Sequence, residues 1–396
     1  MPQNNLLIAF GGVSPEHEVS VLTAIQAAHA LEHSGHTLIP LYITKNGRWL
    51  TGGKLLDLES YKEIRQAEER GEPCHFALDD RGRPGLQTRP GGWLGRSKWN
   101  PVDVVLCAFH GAEGENGAFQ GLCETFNLPY SGSGVAASAL GMDKRLAKEL
   151  CRRNGIPVVD DVWVREELWI REQDTLIRQA ENLGYPLYVK PVTLGSSIGV
   201  HRVDNRGELT DAVESAFRYD SGLLVEKAVH PLTEINCSVL GDDESLRTSV
   251  CEQPLGKEEL LSFEDKYLQG EGGDTKGMAS ASRKIPAPIS AEKTEEIQEL
   301  TGRIFRLLGC AGVARLDFLL NRETGKVYFN EINTIPGSFS FYLWEATELR
   351  FDRLLEELIR IAKKRHQKKN SRVRSHDINL LSQKAMKGLK GLKGGK

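Results

Sequence analysis

The chain opens on an apolar run, LLIAF at 6–10, which passes through the glycine turn GGVSPEHEVS into an amphipathic stretch ending near Ala30; a second apolar run, LIPLYI, follows. This strand–turn–helix–strand rhythm predicts a βαβ unit with parallel strands. Parallel pairing needs a covering crossover, so the chain must build an α/β architecture with helices laid on a sheet. In such sheets, ligand-contacting loops gather beyond the carboxyl ends of the strands. The turn after residue 10 and the end of the later run VDVVLCAFH, which delivers His110, are therefore the first places to look for a site. The stretch 51–100, rich in Gly, Arg and charge, reads as a surface excursion of helix and loops.

The pattern changes further along. A helix begins near Met142, and then YPLYVKPV, a Gly/Ser loop, IGVHRV, a helix at about 208–217 and LLVEKAV suggest a small lid-like unit. From 234 to 362 come longer strands, the loop SFEDKYLQGEGGDTKGMAS, the helix AEKTEEIQELTGRIFRLLG, the strands VARLDFLL and KVYFNEIN, and a closing helix. At 396 residues the chain should hold two or three domains, and no repeat of fixed period is visible.

Composition excludes several classes. Hydrophobic residues make up 40% and charged residues 27%, ordinary for a globular protein, and no apolar run reaches membrane-spanning length. The N-terminus lacks the positive patch of a signal peptide, which predicts a cytoplasmic protein. The seven cysteines are scattered without a CxxC pair, so reduced, mostly buried thiols are expected rather than a zinc site or disulfide framework. Residues 363–396 carry twelve Lys or Arg against one acid, a net of +11, so the preceding residues must carry −14 of the overall −3. That basic, glycine-interrupted segment reads as a disordered tail. Without aromatic residues for base stacking, on an acidic body, it makes a nucleic-acid-binding protein the weaker reading.

Four segments can carry chemistry. In VKPVTLGSSIGV, Lys190 ends a strand before a Gly/Ser loop, and the ammonium, hydroxyls and backbone N–H groups suit phosphates; the P-loop spacing is missing, and a plain loop is the bland alternative. Arg315-Leu-Asp317 and Glu331-Ile-Asn333 are i, i+2 pairs in strand-like contexts, so each pair shares one face. Asp317, Glu331 and Asn333 offer hard oxygen ligands for Mg²⁺, and Arg315 would offset phosphoryl charge; a solvated strand face with salt bridges is the alternative. The turn Thr334-Ile-Pro-Gly337 beside them presents backbone N–H groups able to form an oxyanion hole. In GGVSPEHEVS, Glu16 and Glu18 would repel phosphate and favour an ammonium ligand; the alternative is Ser14 as a helix N-cap with acids in the first turn.

Taken in order, GGVSPEHEVS, HGAEGENGAFQG, YSGSGVAASALGMDK, VKPVTLGSSIGV, ARLDFLL and NEINTIPG resemble the D-alanine–D-alanine ligases of the ATP-grasp superfamily, over roughly residues 5 to 362. The resemblance implies a three-domain ATP-grasp fold: a Rossmann-like N-terminal domain (1–143), a central lid subdomain (144–226) and a catalytic domain (227–362), followed by the basic tail (363–396). It implies ATP, Mg²⁺ or Mn²⁺ with two ions, D-alanine as substrate, and a homodimer.

Residue by residue, the resemblance assigns Lys144, Lys190, Ser196 and Ser197 to the ATP phosphates. It assigns Glu226 and Lys227 to adenine, and Glu234 to ribose across a spacing one residue longer than usual. Asp317, Glu331 and Asn333 become the metal ligands, and Arg315 and Gly337 the groups facing the reacting oxygen. Glu16 would hold the first D-alanine's ammonium with His110 nearby; Ser196 and Tyr267 would join Glu16 in a closing hydrogen-bond chain, and Lys266 would be a lid lysine. The implied reaction is phosphorylation of the first D-alanine's carboxylate by ATP, then attack by the second amine.

Two departures stand out. Asn116 occupies a position where the family commonly has an acid. Between Gly337 and LWEA the chain has only SFSFY, 338–342, where the family's loop is longer and grips the acceptor's carboxylate. Ser338 and Tyr342 thus become candidate substrate-binding residues, and a D-serine or other acceptor becomes the alternative to D-alanine. Tyr267, as in the dipeptide-forming members, points away from D-lactate.

Overall fold

The structure, a computed structural model, describes residues 3–61, 68–88, 97–255 and 283–374. It has three sheets. The first has seven strands in the order Trp99–Pro101, Pro84–Thr88, Glu72–Leu78, Trp49–Thr51, Thr37–Ile43, Asn5–Gly11, Val104–Cys107. Asn5–Gly11 runs parallel to both neighbours, Thr37–Ile43 and Val104–Cys107, which confirms the expected βαβ start. Leu6, Leu7, Ile8, Ala9 and Phe10 are fully buried, as a parallel strand covered on both faces requires. Helix His17–Ala30 supplies the crossover.

The expected surface excursion is corrected here: Glu72–Leu78, Pro84–Thr88 and Trp99–Pro101 extend the sheet in antiparallel fashion. Cys74 and Phe76 alternate inward along Glu72–Leu78, and Leu86 turns in from Pro84–Thr88. The Asp79 carboxylate closes their hairpin by accepting the Arg81 and Arg83 N–H groups at 2.9 and 2.8 Å. A period of two over such short, polar-flanked runs is easily masked by the surrounding charge.

The second sheet is antiparallel, in the order His201–Val203, Leu187–Pro191, Gly222–Lys227, Asp161–Arg165. Helices Glu166–Glu181 and Arg206–Ala216 share its core through residues such as Trp169, Leu176, Leu209 and Val213. The Asn205 side chain caps Arg206–Ala216 by accepting the Glu208 N–H.

The third sheet orders Arg283–Lys284, Leu246–Pro254, Leu232–Gly241, Gly312–Asn321 and Val327–Asn333. Helix Ala291–Leu307 and helix Lys144–Arg153 cover its apolar face, where Ala147 and Cys151 join Ile304, Phe318 and Phe329.

Helix Phe351–Asn370 returns to the first sheet, placing Leu354, Leu355 and Leu358 in the core around Leu6. The expected start of a disordered tail at Lys363 is therefore corrected: the helix runs through Asn370. Its cations are held by acids, Lys364 by Asp242 at 2.7 Å, Lys368 by Glu244 at 2.6 Å and Lys369 by Glu124. Local charge density suggested repulsion, but the acids that compensate it lie over a hundred positions away. Residues 375–396 lie outside the described residues. All seven cysteines are free and buried, in line with expectation. Among the described residues no helix is long and apolar enough to cross a membrane.

Candidate active site

The polar face of the third sheet organises the site. Cross-strand register aligns Glu252 with Asn236, Asn236 with Asp317, and Asp317 with Glu331, so four polar side chains form one rung over four strands. Directly opposed residues share a face. On the neighbouring rung Ser238, Arg315 and Asn333 line up. Arg315 donates to Asp317 through Nε at 2.7 Å and Nη2 at 2.8 Å, and Asn333 Nδ2 donates to the same carboxylate at 3.3 Å. Burial would disfavour the Arg315 charge, but Asp317 outweighs it and holds the guanidinium protonated.

The register shifts after Asp317, whose partner is Glu331 while Phe318 pairs with Phe329, leaving Asn330 as an extra residue. This bulge lets Asn330 and Glu331 both line the cleft that also holds Lys144, Lys190, Ser197, Glu234 and Asp317.

Two lysines converge there. Lys144, at the start of its helix, donates to the Leu194 carbonyl and lies 3.2 Å from Glu331. Lys190 contacts Glu226 at 2.8 Å and donates to Asn330 Oδ1 at 3.1 Å. The second Glu226 oxygen is held by Lys148, one helical turn after Lys144 and on the same face. Burial opposes ionisation of Glu226, yet its two lysine partners pull the carboxyl down to about 2. Glu226 thus turns its carboxylate to Lys148 and Lys190 rather than into the cleft. Lys227 is exposed at the strand end and is not among the cleft residues.

The Glu16 carboxylate meets the Gly/Ser loop that borders the cleft. Ser196 donates to it, joining the Gly/Ser loop to the N-terminal turn. A side chain at Gly111 would put its Cβ 2.9 Å from Glu16 Oε2, and one at Gly195 3.1 Å from the same atom, so these glycines make room for the carboxylate. The alternative reading of Ser14 as a helix N-cap does not hold: its hydroxyl donates to the His110 carbonyl and accepts from Glu16 N–H, and Glu16, at the cap position, turns its carboxylate to Ser196 rather than to the helix N–H groups.

The backbone after Asn333 is pinned from the first domain. Glu115 Oε1 accepts from Ile335 N at 3.0 Å and from Thr334 Oγ1 at 3.2 Å, while its Oε2 accepts from Gly111 N at 3.0 Å. Burial, aided by the Glu16 charge, pushes the Glu115 carboxyl up to about 7 against those hydrogen bonds. His110 Nε2 lies 2.8 Å from Thr23 Oγ1, which accepts the Ser338 N–H at 3.0 Å, and the ring also bonds the Ile335 backbone. Burial lowers His110 to about 4, so it is neutral near pH 7 and positions the loop.

Ser338, Phe339 and Ser340 follow Gly337 with φ of 51°, 54° and 51°, a left-handed turn of three non-glycine residues. Such residues cost about 1 kcal/mol or more each and cluster at functional sites. Tyr342 ends the loop by donating to Glu252 at 3.0 Å.

The structure therefore brings Lys144, Lys190, Ser197, Glu234, Asp317 and Glu331 around one cleft, with Arg315 and Asn333 bonded to Asp317, Ser196 to Glu16, and His110 linked through Thr23 to the turn after Gly337. Lys266 and Tyr267 lie outside the described residues. Sequence reading missed Asn330, Lys148, Glu115, Thr23 and Asn236. Lys148 was open to detection as the i+4 neighbour of Lys144; the bulge at Asn330 and the long-range contact of Glu115 leave no local mark.

Comparison with known proteins identifies the family to which this fold belongs. The family model described as D-ala D-ala ligase N-terminus matches residues 5–133, and the one described as D-ala D-ala ligase C-terminus matches 150–360. A D-alanine–D-alanine ligase from Thermosipho melanesiensis is 36% identical over 97% of this chain and 99% of its own length. One from Caldicellulosiruptor bescii is 37% identical over 94% and 98%. Among solved structures, the D-alanine–D-alanine ligase from Coxiella burnetii aligns with a TM-score of 0.76 at 30% identity, covering 94% of this chain and 97% of that one. The VanG D-Ala:D-Ser ligase from Enterococcus faecalis aligns at 0.75 and 29%, covering 91% and 100%. With two family models over most of its length and relatives above a third identical end to end, the chain belongs to the D-alanine–D-alanine ligase family.

Proposed function

We propose that the chain joins two D-alanines into D-alanyl-D-alanine at the expense of ATP, for peptidoglycan precursor synthesis in the cytoplasm, acting as a homodimer. The observation that carries this reading is the convergence of Lys144, Lys190, Asp317 and Glu331 on one cleft, with Arg315 and Asn333 bonded to Asp317.

Lys144 and Lys190 place two ammonium groups where the β- and γ-phosphates of ATP would lie, and Ser197 adds a hydroxyl. Glu234 takes the ribose. Glu226 acts by holding Lys190 upright, and Lys227 and Lys266 would assist in nucleotide binding. Two carboxylates and an amide oxygen on adjacent strands fit a hard divalent cation, so Asp317, Glu331 and Asn333 would hold Mg²⁺ or Mn²⁺, one or two ions. When bound, the metal offsets charge on the transferring phosphoryl group.

Glu16 anchors the ammonium of the first D-alanine, with Ser196 and Tyr267 closing over it. The carboxylate oxygen of that first D-alanine takes the γ-phosphoryl group of ATP, ADP leaves, and a mixed anhydride replaces a carboxylate that repels nucleophiles. The second D-alanine's amine attacks the carbonyl; the tetrahedral oxyanion rests against Arg315 and the Gly337 N–H, phosphate leaves, and the amine loses its proton. Three parts serve this sequence: a Rossmann-like domain (1–143), a lid (144–226) and a catalytic domain (227–362). Closure excludes the water that would hydrolyse the anhydride.

D-Serine is the second reading for the acceptor, favoured by the short 338–342 loop and the likeness to a D-Ala:D-Ser ligase. Mass spectrometry of products from ATP, Mg²⁺, D-alanine, D-serine and D-lactate separates the two. A dominant D-alanyl-D-alanine peak supports the main reading, a mixed product moves the acceptor, and no ADP refutes the ligase reading.

A further inference from the structure

The rung that starts at Glu331 ends, four strands across, at Glu252, and the far end is built as carefully as the near one. Glu252 is buried and accepts three hydrogen bonds: from Tyr342 Oη at 3.0 Å, from Asn236 Nδ2 at 3.1 Å and from Arg283 Nη1 at 2.8 Å. The Arg283 guanidinium lies 4.0 Å from the centre of the Tyr342 ring. Its plane is thus fixed by an ion pair on one side and an aromatic face on the other. The Arg283 side chain is only 10% exposed. Tyr342 reaches this position because the strained turn at Ser338, Phe339 and Ser340 folds the chain back in so few residues.

We propose that Arg283, held by Glu252 and Tyr342, recognises the carboxylate of the acceptor amino acid and sets acceptor specificity in this chain. The inference rests on the ligase reading above. In that reaction the anhydride's phosphate leaves toward Lys144 and Lys190, so the incoming amine approaches from elsewhere. Along the polar face, the direction away from the lysines leads over Asn236 to Glu252. Neighbouring strands are about 4.8 Å apart, so Glu252, two strands from Asp317, sits about 10 Å from it. Arg315, bonded to Asp317, and Arg283, bonded to Glu252, therefore stand along one polar face at a separation that a bound amino acid would span. The acceptor's amine would meet the carbonyl at Arg315, and its carboxylate, one carbon further on, would meet Arg283. A guanidinium carries five N–H donors in a rigid fork, enough to serve Glu252 and a ligand carboxylate together.

The test uses the full chain with ATP and Mg²⁺, and the variants Arg283→Met and Arg283→Lys. First-substrate activation is read as D-alanyl hydroxamate formed from D-alanine in excess hydroxylamine, which traps the acyl phosphate. Acceptor use is read as dipeptide formed at varied D-alanine, and with D-alaninamide, which lacks the carboxylate. Arg283→Met is expected to raise the KM for the second D-alanine about tenfold or more, with trapping nearly unchanged, and to erase the preference for D-alanine over D-alaninamide. Arg283→Lys, which keeps the charge without the fork, should recover part of that preference. A folded Arg283→Met enzyme with an unchanged acceptor KM overturns the proposal, and so does an equal loss in trapping and acceptor use. Should the Met variant not fold, an Arg283→Lys enzyme with wild-type acceptor KM overturns it as well. A wild-type chain that traps hydroxamate but ignores the acceptor carboxylate refutes this inference alone, whereas one that forms neither hydroxamate nor dipeptide refutes the ligase reading beneath it.

Discussion

Ser196 donates its hydroxyl to the Glu16 carboxylate, closing a contact between two loops that lie 180 positions apart. Gly195 and Gly111 flank that carboxylate and leave space that any side chain would fill. Glu16 is thus held as a carboxylate where the N-terminal turn meets the Gly/Ser loop. Glu16→Gln removes the charge and keeps the shape. It should raise the KM for the first D-alanine about 10–100-fold while changing the KM for ATP by about threefold or less. Steady-state kinetics with each substrate varied in turn checks this, and equal losses in both would count against an ammonium-binding role.

Glu331 faces Asp317 across the strand pair and lies 3.2 Å from Lys144. Glu331→Ala removes a proposed metal ligand and leaves Lys144 without that partner. Turnover should fall about 10²–10³-fold, with the residual rate needing higher Mg²⁺. A Mg²⁺ titration of the rate tests it; near-normal activity at saturating Mg²⁺ would refute the assignment.

His110 and Glu115 hold the same loop and titrate in opposite senses. Glu115 is raised from an ordinary 4.5 to about 7, so its contribution to stability is full below pH 4.5 and is lost as pH rises through about 7. His110 is lowered from 6.5 to about 4, so its contribution is present above pH 6.5 and is lost as pH falls through about 4. Each amounts to roughly 3 kcal/mol, and between pH 4.5 and 6.5 the two slopes nearly cancel. Glu115→Gln should uncover the His110 slope, so that stability rises with pH across that window by roughly 3 kcal/mol. Urea denaturation at four pH values measures it. Parallel profiles for wild type and variant would mean that Glu115 titrates as an ordinary carboxylate.

How much of this was legible follows from the range of each interaction. Arg315 with Asp317, and Glu331 with Asn333, were readable because a strand's period of two puts i and i+2 on one face. Lys144 and Lys190 stood out only when their flanking motifs were taken together. Asn330 was not readable: a bulge in the pairing with Gly312–Asn321 turns it into the cleft, and nothing in FNEIN announces an extra residue. Glu115 was overlooked in favour of Asn116 because its partners, Thr334 and Ile335, lie 219 and 220 positions away. The strands between 72 and 101 were read as loops because only Cys74, Phe76 and Leu86 carry their inward pattern. Glu226 was matched to adenine by position, whereas its burial between two lysines is a property of packing.

Ser340 combines two costs in one residue. Its φ of 51° is left-handed, and its buried Oγ has no hydrogen-bond partner among the described residues. Glycine adopts that backbone without steric penalty and carries no hydroxyl to leave unpaired. Against this, glycine loses more conformational freedom on folding. The two gains outweigh that loss, so Ser340→Gly should stabilise the chain by about 1 kcal/mol and raise its melting temperature by a few degrees. The same change frees the turn that carries Tyr342 toward Glu252, so acceptor KM should rise while first-substrate trapping holds. Calorimetry and the hydroxylamine assay together decide it: a lower melting temperature would show that the turn is not strained at Ser340, because the left-handed backbone would then be favoured by its serine rather than imposed on it.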